Sequence, residues 1–191
     1  MRQDAGSLFW YGRRAVEDAP AVALLRAAGA IPLALTNVPE MCMWGDSHNL
    51  VDGATLNSHD TRRSPGGSSG GEGTLLAAAG SLIGIGTDIG GSVRIPAAYC
   101  GIFAHKPTAD AGDKLRQFNC VGPMTRFAED LPLMLNVLAG SPTNVFRLSE
   151  KFDSVAALAS WTATTSFPGR PRVDVAASAT VSDVVEMVNG G

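Results

Sequence analysis

The sequence predicts an α/β fold, and three observations predict it. Apolar runs of strand length, at 31–35, 82–86 and 102–105, each follow within two residues of a glycine. Stretches with helical periodicity and helix stop signals alternate with them. Apolar residues make up 45% of the 191 residues and charged residues 17%, which suits a chain with a buried core.

Residues 1–16 carry Trp10, Tyr11, Arg13 and Arg14 without a clear period. Glu17-Asp18-Ala19-Pro20 reads as a helix start, with Asp18 as cap and Pro20 in the first turn, and Gly29 as the stop. Residues 31–35 read as a buried strand with Pro32 near its beginning. Residues 39–44 suit one or two helical turns. There Glu40 reads as a solvated or capping carboxylate, and Met41, Met43 and Trp44 as core. The polar stretch 45–64 reads as a long loop, and long loops in compact domains are usually functional or mobile. A second helix starts at Ser69 or Glu72 and stops at Gly80, ahead of the strand 82–86. A short helix near 96–99 and a strand at 102–105 follow. Residues 110–117 are charged and loop-like. Thr125 is placed to cap a helix over 128–139, where Leu131, Met134, Leu135 and Leu138 follow a helical period. Beyond Ser141 one more amphipathic stripe appears, Val181, Val184, Val185 and Val188.

Composition narrows the function. A net charge of −3 gives no electrostatic footprint for nucleic acid. No run approaches the roughly 20 apolar residues of a membrane span, and the first residues do not read as a signal peptide. The expected location is cytoplasmic, with membrane association reserved for a longer form that carries an anchor. Cys42, Cys100 and Cys120 are odd in number and lack metal spacing, and His48 and His59 lack zinc-site spacing. No metal and no cofactor are assigned.

The chemistry concentrates in residues 66–101. Two glycine clusters each hold a sterically bare serine, with an uncharged run at 74–85 between them. Glycines around serines suggest backbone N–H groups turned toward an anion or a developing oxyanion. Gly66-Gly67-Ser68-Ser69-Gly70 fits the spacing of a nucleophile elbow, but the preceding Thr61-Arg62-Arg63-Ser64-Pro65 is no apolar strand. A phosphate-cradling loop would need a lysine soon after the glycines, and none follows.

The stretch 65–108, including Asp88-Ile89-Gly90-Gly91-Ser92 and Lys106-Pro107-Thr108, resembles the amidase signature family of serine hydrolases. Met41-Cys42-Met43-Trp44 and His105-Lys106-Pro107 look most like its fatty acid amide hydrolase branch. The resemblance implies a mixed β-sheet flanked by helices, here incomplete, with residues 1–191 as a partial amidase signature domain and 141–191 matching weakly. It implies Ser92 as nucleophile and Ser68, after a cis peptide bond, as proton relay. The backbone N–H groups of Ile89, Gly90, Gly91 and Ser92 form the oxyanion hole. Asp88 and Arg94 tie the loop down. Met43 and Ser69 are assigned to substrate binding, with helix capping as the alternative for Ser69. The substrate is a small-molecule amide, most simply a fatty acid amide, and a homo-oligomer is left open.

The base of this mechanism is a lysine. The family's catalytic lysine would fall ahead of Asp4-Ala5-Gly6-Ser7, before Met1, and Lys106, Lys114 and Lys151 all follow Ser92. Loss of a triad member typically lowers turnover by about 10⁴. The 191 residues as written are therefore expected to be weak or inactive, and an inactive amidase-like binding protein is the alternative reading.

Overall fold

A computed structural model of the chain describes residues 1–108 and 119–140. The loop at 110–117, Lys114, Lys151 and the weakly matching tail 141–191 with its valine stripe lie outside the described residues. The order is helix α1 (Pro20–Ala27), a hairpin of β1 (His48–Asn49) and β2 (Gly53–Ala54), helix α2 (Gly70–Ala77) and strand β3 (Ile83–Asp88). Helix α3 (Arg94–Cys100), strands β4 (Phe103–Ala104) and β5 (Cys120–Thr125), and helix α4 (Asp130–Leu138) complete it. Short 3-10 turns lie at Leu8–Trp10 and Glu40–Cys42.

The α/β class is borne out. The larger sheet has the order β3-β5-β4, with both pairs antiparallel. Ile83 faces Thr125 and Asp88 faces Cys120 at the two ends of the β3–β5 pair. Strand β5 is the central strand, although Gly122 and Pro123 argue against one. The carbonyl of Pro123 accepts the His105 N–H at 3.1 Å. N–H and C=O of one strand residue point the same way, so the nitrogen of Pro123 faces the end of short β4. The ladder to β3 loses nothing by the missing proton.

Helices cover both faces of this sheet. On one face Leu76 of α2, Val93, Ala97 of α3, Ile102 and Met124 form a buried cluster. On the other, Leu25 and Ala28 of the α1 end pack with Met134 and Val137 of α4, against Ile83 and Ile85. Burying a side chain of the size of Leu or Met contributes about 1.5–3 kcal/mol. Strand β3 shows why its sequence is Ile-Gly-Ile-Gly. Successive strand residues face opposite sides. Ile83 and Ile85 supply the α1/α4 side, while Gly84 and Gly86 meet α2. A Cβ on Gly84 would strike the Glu72 carboxylate, and one on Gly86 would lie 2.9 Å from Val93 Cγ2 and 3.0 Å from Ser69 Cβ. The glycines let the helix carrying the first serine cluster approach the sheet closely.

Several expectations are corrected. Asp18 does not cap α1. Its N-cap is Ala19, without a side-chain bond, and Asp18 instead pairs with Arg26 at 2.9 Å, one helix length away. Residues 31–35 form no strand among the described residues, and Ile31 is 80% exposed, because no described segment pairs with them. Met41, Met43 and Trp44 are not core: Met43 is 72% and Trp44 69% exposed. Met41 and Cys42 have φ of 56° and 58°, and this left-handed turn leaves the apolar side chains outside. Thr125 lies in β5, and its hydroxyl bonds the Phe127 carbonyl at 2.6 Å without capping α4. Residues 45–64 are an ordered loop. Its hairpin is held by Asn49, whose amide reaches Asn37 Oδ1 at 2.6 Å and the Val38 carbonyl at 2.7 Å.

Candidate active site

Strand β3 delivers Asp88 to the mouth of a tight loop, Ile89 to Val93. Asp88 is fully buried. Its carboxylate accepts the N–H groups of Gly91 at 2.7 Å and Val93 at 3.1 Å, and the Arg94 guanidinium through Nε and Nη2, each at 3.0 Å. Burial pushes its pKa up, but Arg94 and the backbone N–H groups outweigh that and hold it near 2. The charged carboxylate thus folds the loop around itself. Gly91 has φ of 128°, a conformation that favours glycine, and a Cβ there would lie 2.7 Å from Ile95 Cδ1.

The loop's N–H groups divide by direction. Those of Gly91 and Val93 turn inward to Asp88. Gly91 was expected among the oxyanion-hole donors; its N–H is instead committed to the carboxylate. For the N–H groups of Ile89, Gly90 and Ser92 there is no intramolecular acceptor among the described residues. Gly90 is open on its outer side, Ile89 is exposed and Ser92 half-buried. Unpaired N–H groups grouped around a hydroxyl suit an incoming anion.

The first serine cluster lies directly against this loop. The Ser69 N–H donates to the Ser92 carbonyl at 3.1 Å. Ser69 stands at the N-cap position of α2 without making a side-chain cap bond, and its Oγ lies against Gly86. Ser68 is 1% exposed, and the Gly67–Ser68 peptide bond is cis. Beneath it runs the strap Trp44–Ser47. A Cβ on Gly67 would lie 2.7 Å from the Asp46 nitrogen and 2.8 Å from the Trp44 oxygen. Ser47 Oγ reaches the carbonyls of Gly66 at 3.0 Å and Ser68 at 3.1 Å, and accepts the Gly70 N–H at 2.8 Å. Met43, the other residue expected at the substrate, precedes this strap on the exposed side.

Three neighbours were not identified from sequence as parts of the site. Ser47 is one. Cys42 is another: burial raises its pKa, partly offset by a hydrogen bond with the Ser68 hydroxyl. The third is Glu72 in the first turn of α2. Burial raises its pKa to about 7, although the Thr36 hydroxyl, donating to Oε2 at 2.8 Å, pulls it back. Only the glutamate within the glycine cluster hinted at this. Elsewhere, Glu40 accepts the Ser7 hydroxyl at 2.8 Å, Lys106 Nζ donates to the Pro107 carbonyl at 3.4 Å, and His59 Nε2 lies 2.8 Å from the Cys100 carbonyl. Among the described residues no cluster of His, Cys, Asp or Glu could hold a metal, and no helix is long and apolar enough to cross a membrane.

Comparison with known proteins gives the family. Residues 1–166 match the family model described as Amidase. Fatty-acid amide hydrolase 2-A of Danio rerio is 49% identical over 146 residues, covering 71% of this chain and 27% of the relative. Fatty-acid amide hydrolase 2 of Homo sapiens is 49% identical over 144 residues, covering 70% and 27%. Among solved structures, a 6-aminohexanoate cyclic dimer hydrolase superposes with a TM-score of 0.62 at 40% identity, covering 66% of this chain and 28% of that one. The chain therefore spans little more than a quarter of the length of these relatives. With residues 1–166 matched by the Amidase family model, and with fatty-acid amide hydrolases among its relatives, the chain belongs to the amidase signature family.

Proposed function

We propose that the chain carries the nucleophile, relay and oxyanion elements of an amide hydrolase, with Ser92 as nucleophile and Ser68 as relay. The observation that carries this reading is the Ser69 N–H to Ser92 carbonyl bond of 3.1 Å, which joins the two serine clusters beside a loop whose Ile89, Gly90 and Ser92 N–H groups have no acceptor among the described residues. In this reading Ser92 Oγ attacks the amide carbonyl carbon while its proton passes through Ser68 to a base. The carbonyl oxygen becomes an oxyanion, met by N–H groups from Ile89, Gly90 and Ser92. Each such donor is typically worth about 3–4 kcal/mol in the transition state. The tetrahedral species collapses, the C–N bond breaks, and the amine leaves with a proton returned along the relay. Water then opens the acyl-enzyme at Ser92.

The base is a lysine in the Ser-Ser-Lys scheme, and the resemblance gives that role to none of Lys106, Lys114 and Lys151. Residues 1–191 are read as part of one amidase signature domain with its core at 65–108. A fatty acyl amide is the substrate class favoured by the relatives' names and by the exposed Met43 and Trp44 at the start of the strap under Ser68. The test is covalent trapping by a fluorophosphonate. Ser92→Ala should abolish it and Ser68→Ala should slow it. Trapping that persists in Ser92→Ala sinks the assignment of roles.

A further inference from the structure

We propose that Ser47 is a positioning residue for Ser68, its hydroxyl clamping the carbonyls on either side of the Gly67–Ser68 peptide plane while holding the start of α2. The inference rests on the amide-hydrolase reading of Ser68 as relay.

Ser47 is fully buried, and its one hydroxyl serves three backbone groups of the first serine cluster. It accepts the Gly70 N–H at 2.8 Å and shares its own proton between the carbonyls of Gly66 at 3.0 Å and Ser68 at 3.1 Å. Gly66, Ser68 and Gly70 are all buried, so water does not readily replace a missing partner there. The clamp itself is fixed. The Ser47 carbonyl accepts the Thr55 N–H at 2.9 Å beside the β1–β2 hairpin, and the Ser47 N–H donates to Asp46 Oδ1 at 2.9 Å. Glycine at 67 and 70 is what lets strap and serine cluster touch: a Cβ at Gly70 would strike Ser47 Oγ, and one at Gly67 would lie 2.8 Å from the Gly45 carbonyl carbon. The strap grips residues 66, 68 and 70 while Ser69 bonds the Ser92 carbonyl. Losing the Ser47 hydroxyl frees the backbone that aims the relay and leaves the Asp88-centred loop intact.

The test compares fluorophosphonate labelling rates at Ser92 for the parent chain, Ser47→Ala and Ser47→Thr, each with Ser68 present and with Ser68→Ala. Ser47→Ala is expected to slow labelling about tenfold, the loss of roughly one buried hydrogen bond. Ser47→Thr, which keeps the hydroxyl, is expected to restore it. In the Ser68→Ala background Ser47→Ala should change nothing further, because its effect passes through Ser68. Equal slowing in both backgrounds, or no slowing, overturns the proposal. Ser47→Cys, with a weaker donor of similar size, makes the same comparison where the alanine variant does not fold. A parent chain that is not labelled at Ser92 contradicts the amide-hydrolase reading instead. The clamp is then decided by hydrogen exchange at the Gly70 amide. Exchange about tenfold faster in Ser47→Ala and recovered in Ser47→Thr supports it, and unchanged exchange overturns it.

Discussion

Replacing Glu72 by glutamine should make the chain more stable above neutral pH and leave it unchanged in acid. The carboxyl lies between α2, Thr36 and the bare Cα of Gly84, and its pKa rises from the ordinary 4.5 to about 7 because burial disfavours the charge. A carboxyl whose folded pKa lies above its unfolded one stabilises fully below the unfolded value. That contribution is lost as pH rises through the folded value. The window is therefore pH 4.5 to 7. At about 1.4 kcal/mol per pKa unit, the ionised form costs about 3 kcal/mol on the alkaline side. Glutamine keeps the shape and can still accept the Thr36 hydroxyl, but it carries no charge. Urea denaturation of both proteins at steps from pH 4 to pH 8.5 measures the difference. The curves should coincide near pH 4 and diverge to about 3 kcal/mol in favour of Glu72→Gln by pH 8. Parallel curves would refute the placement of a neutral carboxyl against β3.

Asp88→Asn should act in the opposite sense. The folded pKa of Asp88 is lowered from 3.8 to about 2, so its stabilisation is present above 3.8 and lost as pH falls to about 2. The variant should lose about 2 kcal/mol at pH 7, with the difference from the parent shrinking in acid. Hydrogen exchange at the Gly91 and Val93 amides should quicken with it. Gly86→Ala should cost about 1–3 kcal/mol by forcing a methyl between Ser69 and Val93, read as a lowered denaturation midpoint. Gly91→Ala, at φ of 128° and against Ile95, should slow labelling of Ser92 more than it lowers stability, since the loop that presents Ser92 must move.

Much of this arrangement is legible in the sequence where local chemistry decides it. The glycine clusters, the helix after Ser69 and the strand feeding Asp88 all follow from residue types and short-range spacing, whereas that helix ends at Ala77 with Ala79, not Gly80, in the left-handed conformation. The central strand β5 is hidden because Gly122 and Pro123 look like breakers; only the pairing shows that the proline nitrogen faces a short neighbour. Residues 31–35 have strand composition, but a strand needs a partner, and none of the described segments supplies one. Met41, Met43 and Trp44 have core composition, yet the left-handed backbone at 41 and 42 sends them outward. Ser47 and Cys42 meet Ser68 through contacts across the fold, and Glu72 meets Thr36 and Gly84 in the same way, which no local spacing reveals. The split of the loop's N–H groups, Gly91 inward and Ile89, Gly90 and Ser92 without an acceptor among the described residues, depends on the turn Asp88 imposes.

The most direct measurement is fluorophosphonate treatment of the folded 191-residue chain, followed by peptide mass spectrometry to locate the adduct. A single adduct on Ser92 is expected, absent in Ser92→Ala and slower to form in Ser68→Ala. An adduct on another serine would contradict the reading of Ser92 as the nucleophile presented by the Asp88–Arg94 loop, and a folded chain that takes none would favour the inactive, amidase-like binding protein instead.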